Sequence, residues 1–151
     1  MVRLVENVVV VVHTSLPPSN DEWNNYIQTV VAAGRGHGGD LMRCRQLVMT
    51  DGGGPNSAQR AAAQKTAAQV NGEAMPVAVV SSSTLVRGIV TAFNWFNMNM
   101  KVFSPVEVRA AFDFLRISEG TGDAIWDALD AIQDELGIVE TVQVARDAFQ
   151  P

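Results

Sequence analysis

A glycine-rich stretch between an apolar run and an alanine-rich run is the first place where this sequence could do chemistry. Residues Thr50–Arg60 read TDGGGPNSAQR. Glycines let a backbone approach a ligand closely, and free N–H groups at a helix start attract phosphate or carboxylate. Neither the GxxxxGK[ST] nor the GxGxxG spacing is present. The stretch is either a loop that binds an anion or a partner, or a helix start capped by Asn56 or Ser57. The candidate binding loop comprises Asp51, Gly52, Gly53, Gly54, Asn56 and Ser57.

The residue types of an acyl-transfer triad stand at or just after the ends of predicted strands. They are His13, Asp51 and the serines Ser81, Ser82 and Ser83. The carboxyl ends of parallel strands meet at one sheet edge, where ligands bind in open α/β sheets, and Ser, His and Asp can together carry out acyl transfer. No GxSxG elbow is present, and such residues are also ordinary turn and capping residues. We therefore predict no catalytic residue and keep a small hydrolase as an alternative.

The sequence contains few of the residue types that bind metals or carry out redox chemistry. His13 and His37 are the only histidines, and Cys44 is the only cysteine. No HxH, HExxH or CxxC spacing exists, so the sequence predicts no metal site and no cofactor. A lone cysteine beside a predicted strand is typical of a small buried side chain.

Composition limits the class of partner. The chain has 151 residues, a net charge of −5 and only 11 lysines and arginines, which are scattered. Binding nucleic acid needs clustered basic residues, so no nucleic-acid partner is predicted. The run Val8–Val12 is far shorter than the ~20 apolar residues that cross a bilayer. We expect a cytoplasmic protein without membrane insertion.

Strand and helix patterns alternate along the chain. Apolar runs predict buried strands at Asn7–His13, Arg45–Asp51, Val77–Ser82 and Lys101–Ser104. Apolar stripes predict helices that begin near Asn20, Ala58, Thr84 and Pro105, and a further helix that ends at Gly137. Strands separated by helices predict an α/β fold: a single domain with a mostly parallel sheet of about four to five strands flanked by helices.

The order of these elements resembles that of a known family. The segment PVAVVSSSTLVRGIVTAFNWFNMNMKVFSPVEVRAAFDFL (Pro76–Leu115) runs strand, polar turn, amphipathic helix, aromatic stretch, short strand and helix. It resembles the C-terminal half of SpoIIAA-like proteins, the bacterial relatives of the STAS domain. The segment ENVVVVVHTSLPPSNDEWNNYI resembles their first strand and helix. The resemblance implies a SpoIIAA/STAS-like domain over residues 1–118, with residues 119–151 as a C-terminal helical extension packed on the same domain.

The resemblance gives the glycine-rich loop a regulatory meaning. In STAS domains of the anti-sigma-factor-antagonist type, a serine in an Asp-Ser-Ser-Gly-like motif at this helix start is phosphorylated, and the added charge prevents docking to a kinase. Here Asp51 ends the strand, three glycines replace the serines of the motif, and the first serine is Ser57. The resemblance therefore implies a non-enzymatic regulatory module in bacterial signalling that acts through protein–protein contacts, with Ser57 as a candidate phosphorylation site.

Two further segments offer surfaces to partners or ligands. The segment FNWFNMNM (Phe93–Met100) mixes large apolar residues with asparagines, and Trp95 and Met98 are predicted interface residues. The apolar face of the helix that ends at Gly137 must pack on the sheet, another helix or a second subunit, which makes a homodimer a candidate. The SpoIIAA-like fold also resembles the lipid-binding CRAL-TRIO core. An alternative function is therefore a carrier of a small anionic or apolar ligand, with a pocket between the sheet and Phe93–Met100.

Overall fold

A five-stranded sheet forms the centre of the protein in the computed structural model, which describes residues 1–36, 38, 43–69, 75–83, 86 and 99–150. The strands lie across the sheet in chain order: β1 (Val2–Val5), β2 (Val8–His13), β3 (Arg45–Thr50), β4 (Val77–Val80) and β5 (Met100–Phe103). The helices are α1 (Asn20–Gly36), α2 (Ser57–Gln69), α3 (Val108–Leu115), α4 (Glu119–Leu136) and α5 (Glu140–Phe149), and a 3-10 helix at Pro105–Glu107 precedes α3. The protein thus has the predicted α/β fold.

The direction of β1 makes the sheet mixed rather than mostly parallel. Strands β2 to β5 are parallel to one another, whereas β1 forms an antiparallel hairpin with β2. The turn residue Glu6 has φ of 53°, the left-handed conformation that a two-residue hairpin turn requires. Its carboxylate accepts a hydrogen bond of 2.8 Å from the Thr121 hydroxyl at the start of α4. The sequence did not predict β1, because four residues including the charged Arg3 give a short pattern and no Asn-Gly turn follows.

Helices cover both faces of the sheet, which explains why its strands are apolar on both sides. One core cluster joins the strands to α3, α4 and α5, and it includes Val10, Leu47, Val80, Phe112, Leu129, Ile132 and Val142. On the opposite face, a second cluster joins β2 to α1 through Val9, Val11 and Ala33. Residues 119–149 therefore share the core of the strands, where each fully buried Leu or Ile contributes about 1.5–3 kcal/mol.

Local sequence signals account well for the C-terminal helices. The predicted core positions Val108 and Leu115 of α3 are buried, and Gly137 ends α4 with φ of 84°. Cys44 is fully buried, as its place beside a strand predicts. None of the described helices is long and apolar enough to span a bilayer. The predicted interface residues Trp95 and Met98, and most of the helix predicted after Thr84, lie outside the described residues.

Candidate functional site

The glycine-rich loop lies at the carboxyl edge of the parallel strands, where it connects β3 to α2. Among the contacts that hold this loop are those of Asp51, Gly53 and Asn56. Each of these contacts uses a different physical device, and together they determine which groups remain available to a ligand or partner.

Asp51 is bound to the N-terminus of α5. Its carboxylate accepts hydrogen bonds from the backbone N–H of Glu140 at 3.0 Å and from that of Thr141 at 2.8 Å. The N-cap residue of α5 is Val139, whose side chain makes no capping bond. The first N–H groups of a helix lack intrahelical partners, and the helix dipole favours a carboxylate there. Asp51 therefore supplies the cap from a distant part of the chain.

The last residue of β3 connects the loop to β4 and α5. The hydroxyls of Thr141 and Ser81 both donate to the Thr50 carbonyl, at 3.0 and 2.7 Å. The Thr50 hydroxyl donates to the Gly53 carbonyl at 2.7 Å and accepts from the Gly52 N–H at 3.1 Å. Thr50, Ser81 and Thr141 are all buried. Because each of these buried hydroxyls has a partner, the network fixes the start of the loop without an unpaired polar group.

The three glycines serve different purposes. Gly52 has φ of +118°, a conformation that only glycine adopts readily. Gly53 donates its N–H to the Thr14 carbonyl at 2.9 Å, and a Cβ there would lie 2.2 Å from the Leu16 carbonyl oxygen. A Cβ on Gly54 would meet nothing within 4 Å. The positive φ therefore requires glycine at position 52, and the close approach of the Leu16 backbone requires glycine at position 53. Neither reason applies to Gly54.

A reciprocal pair of hydrogen bonds closes the start of α2. Asn56 Oδ1 accepts from the Gln59 N–H at 3.0 Å, and Gln59 Oε1 accepts from the Asn56 N–H at 2.9 Å, which is the geometry of a capping box. The Gln59 carbonyl also accepts from the Trp23 indole at 2.9 Å. The cap is therefore Asn56, and the exposed Ser57 hydroxyl makes no hydrogen bond to any residue that the structure describes. For an anion, the loop and the first turn of α2 retain the N–H groups of Gly54, Ser57 and Ala58.

Two exposed apolar side chains belong to segments that contact the loop. Leu16 is 71% exposed, and Ile138 is 85% exposed. The Leu16 backbone lies against Gly53, and Ile138 stands two residues before Glu140, whose N–H binds Asp51. Periodicity could not identify either residue, because both lie in connecting segments. The sequence features that mark both residues as lying in connecting segments are their neighbours: Leu16 precedes Pro17, and Ile138 follows the helix-ending Gly137.

The residues of the candidate triad share this edge without forming a catalytic arrangement. The Asp51 carboxylate is engaged by α5, and the Ser81 hydroxyl is engaged by the Thr50 carbonyl. The Asp51 N–H donates to the His13 carbonyl at 3.2 Å, but among the described residues no side-chain hydrogen bond joins the His13 imidazole to Asp51 or to any serine of Ser81–Ser83. The contacts give Asp51 and Ser81 structural roles, and a hydrolase remains an untested alternative.

His13 is an uncharged base at neutral pH. The pKa of His13 is lowered from 6.5 to about 4, mainly by burial and to a smaller extent by the Met1 amino group, while Glu22 acts in the opposite direction. In the described part of the chain, no group of three or more His, Cys, Asp or Glu residues is placed to hold a metal ion.

Comparison with known proteins adds no family to this geometry. No family model, curated protein or solved structure matches the chain. The carrier hypothesis depends on Phe93–Met100, most of which lies outside the described residues, and it stays a prediction. The function must be inferred from the carboxyl edge itself.

Substitutions at the second and third glycines should differ strongly in their effect on stability. Gly53→Ala places a methyl group against backbone carbonyls that cannot move independently, so we expect it to lower the free energy of unfolding by about 2 kcal/mol or more. Gly54→Ala has open space and should change it by no more than about 0.5 kcal/mol. Urea denaturation of both variants measures the difference. Equal stability of the two variants would contradict the close approach at Gly53.

Acidification should destabilise the protein through His13. Between pH 6.5 and about 4 the unfolded chain holds more protons at this residue than the folded protein does, so the free energy of unfolding falls as pH is lowered through that range. Urea denaturation at a series of pH values should show a smaller loss for His13→Gln than for the unchanged protein. Parallel pH profiles of the two would show that His13 is not buried as a neutral base.

Proposed function

We propose that this protein is a non-enzymatic regulatory module of the bacterial cytoplasm that acts by binding a protein partner at the carboxyl edge of its sheet. The observation that supports this proposal is the exposure of Leu16 and Ile138, in two segments that contact a loop held in place by its own hydrogen bonds. The resemblance to SpoIIAA/STAS regulatory domains points in the same direction.

The edge has the composition of a small docking surface. Burying an exposed Leu or Ile side chain in a complex contributes about 1.5–3 kcal/mol before the costs of association. Asn56 and Ser57 are exposed at the end of the loop and supply the polar part of an interface. Because Asp51, Gly53 and Asn56 already fix the loop, the loop would lose little conformational entropy when a partner binds.

The hydrogen bonds also favour binding over catalysis. A general base or nucleophile needs a lone pair or proton directed at a substrate. The Asp51 carboxylate instead faces two backbone N–H groups, and the Ser81 hydroxyl donates to a carbonyl. These contacts support a structural role for both residues.

Ser57 is the residue at which we propose that binding is regulated. It is the first residue of α2 and is exposed, so a kinase could reach it, whereas the capping bonds are made by Asn56 and Gln59. A phosphate adds about −1.5 to −2 charges, and the positive end of the helix dipole tolerates them. The folded structure would persist while the docking surface became strongly negative.

The test is affinity capture from the bacterium that encodes the chain, followed by quantitative mass spectrometry. The double variant Leu16→Ser/Ile138→Ser should lose the partner that the unchanged protein retains, with affinity at least about tenfold weaker, because two anchors are removed. Leu4→Ser changes an exposed apolar residue of β1 and serves as the matched control. Ser57→Glu tests the regulatory part separately.

Two results would count against the proposal. Equal recovery of every partner by the unchanged protein, the control and the double variant would exclude this edge as the docking surface. If the double variant lost the partner but Ser57→Glu bound it fully, the docking surface would be supported and regulation at Ser57 would be rejected.

A further inference from the structure

The sheet has two lateral edges, formed by β1 and β5, and the chain protects them differently. At the β1 edge, the backbone groups of Val2 and Leu4 point away from β2. The Arg3 guanidinium covers part of this edge, because it donates to the Val2 carbonyl at 3.0 Å and pairs with the Glu135 carboxylate. A charged side chain on an edge strand opposes the addition of another strand, so the β1 edge is partly blocked.

The β5 edge presents unpaired backbone groups. On the inner side of β5, the carbonyls of Asn99 and Phe103 accept from N–H groups at the two ends of β4, at 2.8 and 3.0 Å. Alternate residues of a strand bond to the same neighbour, so Met100 and Val102 direct their N–H and C=O groups outward. Neither residue has a backbone hydrogen-bond partner in the described part of the chain, and both are only partly buried. Such groups are a template for a further strand.

The capping bonds of Ser104 limit the length and register of a strand added here. The Ser104 N–H donates to the Glu107 carboxylate at 2.9 Å, and the Ser104 carbonyl accepts from the Glu107 N–H at 2.9 Å. The next outward residue after Val102 is therefore already engaged. An antiparallel strand, the slightly more stable arrangement, uses the available groups fully only when two of its residues pair with Met100 and Val102. The residue between those two then lies opposite Lys101.

The charge of Lys101 discriminates between possible occupants. This side chain is exposed, its ammonium lies 4.8 Å from the centre of the Phe114 ring, and it forms no ion pair with a residue that the structure describes. A second copy paired in the same register would place its own Lys101 directly opposite, and like charges in that position are destabilising. An opposite charge there is stabilising. The edge therefore favours a strand with Asp or Glu at its centre over a second copy of this chain.

The positions on either side of that acidic residue call for apolar side chains. The side chains of Met100 and Val102 pack against the cluster of Val77 and Val79 on the face opposite to Lys101. Because successive residues of a strand point to opposite faces, the two flanking residues of an added strand would extend this apolar surface. Valine and isoleucine suit such positions, since β-branched side chains pack well on a pleated surface.

We propose that the β5 edge binds an extended segment of a partner protein with an apolar–acidic–apolar sequence, which adds a sixth, antiparallel strand to the sheet. Its backbone pairs with the outward groups of Met100 and Val102, and its carboxylate lies opposite Lys101. This surface is separate from the proposed docking surface at Leu16 and Ile138, and either one can be wrong without the other.

Titration of the ¹⁵N-labelled protein with a short peptide tests the proposal. The probe is an acetylated and amidated Thr-Val-Glu-Val-Thr, with Thr-Val-Lys-Val-Thr as the basic comparison. The amide signals of Met100 and Val102 should shift saturably with the acidic peptide, which should bind at least about threefold more tightly than the basic one. The amide of Leu4, at the other edge, should stay unchanged. The net charge of −5 would by itself favour the basic peptide, so the expected preference cannot arise from general charge.

A matched pair of variants tests the charge of the edge. Lys101→Glu should weaken the acidic peptide by about threefold or more and make the basic peptide the tighter ligand. Lys65→Glu makes the same change at an exposed position of α2 and should preserve the preference for the acidic peptide. Absence of a saturable shift at Met100 and Val102, tighter binding of the basic peptide to the unchanged protein, or equal effects of both variants would overturn the proposal. Shifts of the same two amides with protein concentration alone would also overturn it, because a second copy would then occupy the edge.

Discussion

The carboxylate of Asp51 joins the end of β3 to the start of α5 through two hydrogen bonds. It accepts hydrogen bonds from two N–H groups that lie 89 and 90 positions later in the chain. It therefore fixes the start of α5 against the end of β3. The Thr141 hydroxyl adds a second link between α5 and β3, because it donates to the carbonyl of Thr50, the residue before Asp51. Hydrophobic packing is not directional, whereas these hydrogen bonds specify where α5 begins relative to the sheet.

This contact also explains how a loop of three glycines can present a defined surface. A glycine-rich segment has high conformational entropy when it is free, and a partner would have to order it. Here the hydrogen bonds of Thr50, Asp51 and Asn56 order the segment within the folded protein. Ser57, which follows the Asn56 cap and is exposed, remains available to a partner.

Much of the fold could be predicted from the sequence because its signals are local. The valine run of β2, the apolar stripe of α4 and the stop at Gly137 each depend on neighbouring residues alone. The strand β1 was missed because an edge hairpin of four residues depends on pairing with β2 rather than on its own pattern. The sheet direction at this edge was therefore predicted wrongly.

The candidate site was predictable in place but not in detail. The strand ends and the glycine run located the carboxyl edge, yet nothing in the sequence indicates that Asp51 pairs with residues 140 and 141, since that contact is purely tertiary. The same limit applies to Ser81: a serine after a strand could be a nucleophile or a hydrogen-bond donor, and only the 2.7 Å contact with the Thr50 carbonyl identifies the donor role. The residue types Asp and Ser were compatible with catalysis, but the hydrogen-bond partners of Asp51 and Ser81 indicate structural roles.

Amide hydrogen exchange at Glu140 and Thr141 tests the central contact most directly, because in the folded protein these two N–H groups are bound by the Asp51 side chain. In Asp51→Ala, the account predicts that both amides exchange about two- to thirtyfold faster, the equivalent of losing a helix cap worth about 0.5–2 kcal/mol. Amides in the middle of α4 should keep their protection. Unchanged exchange at both positions in the variant would contradict the account, because it would mean that Asp51 does not hold α5 to the sheet.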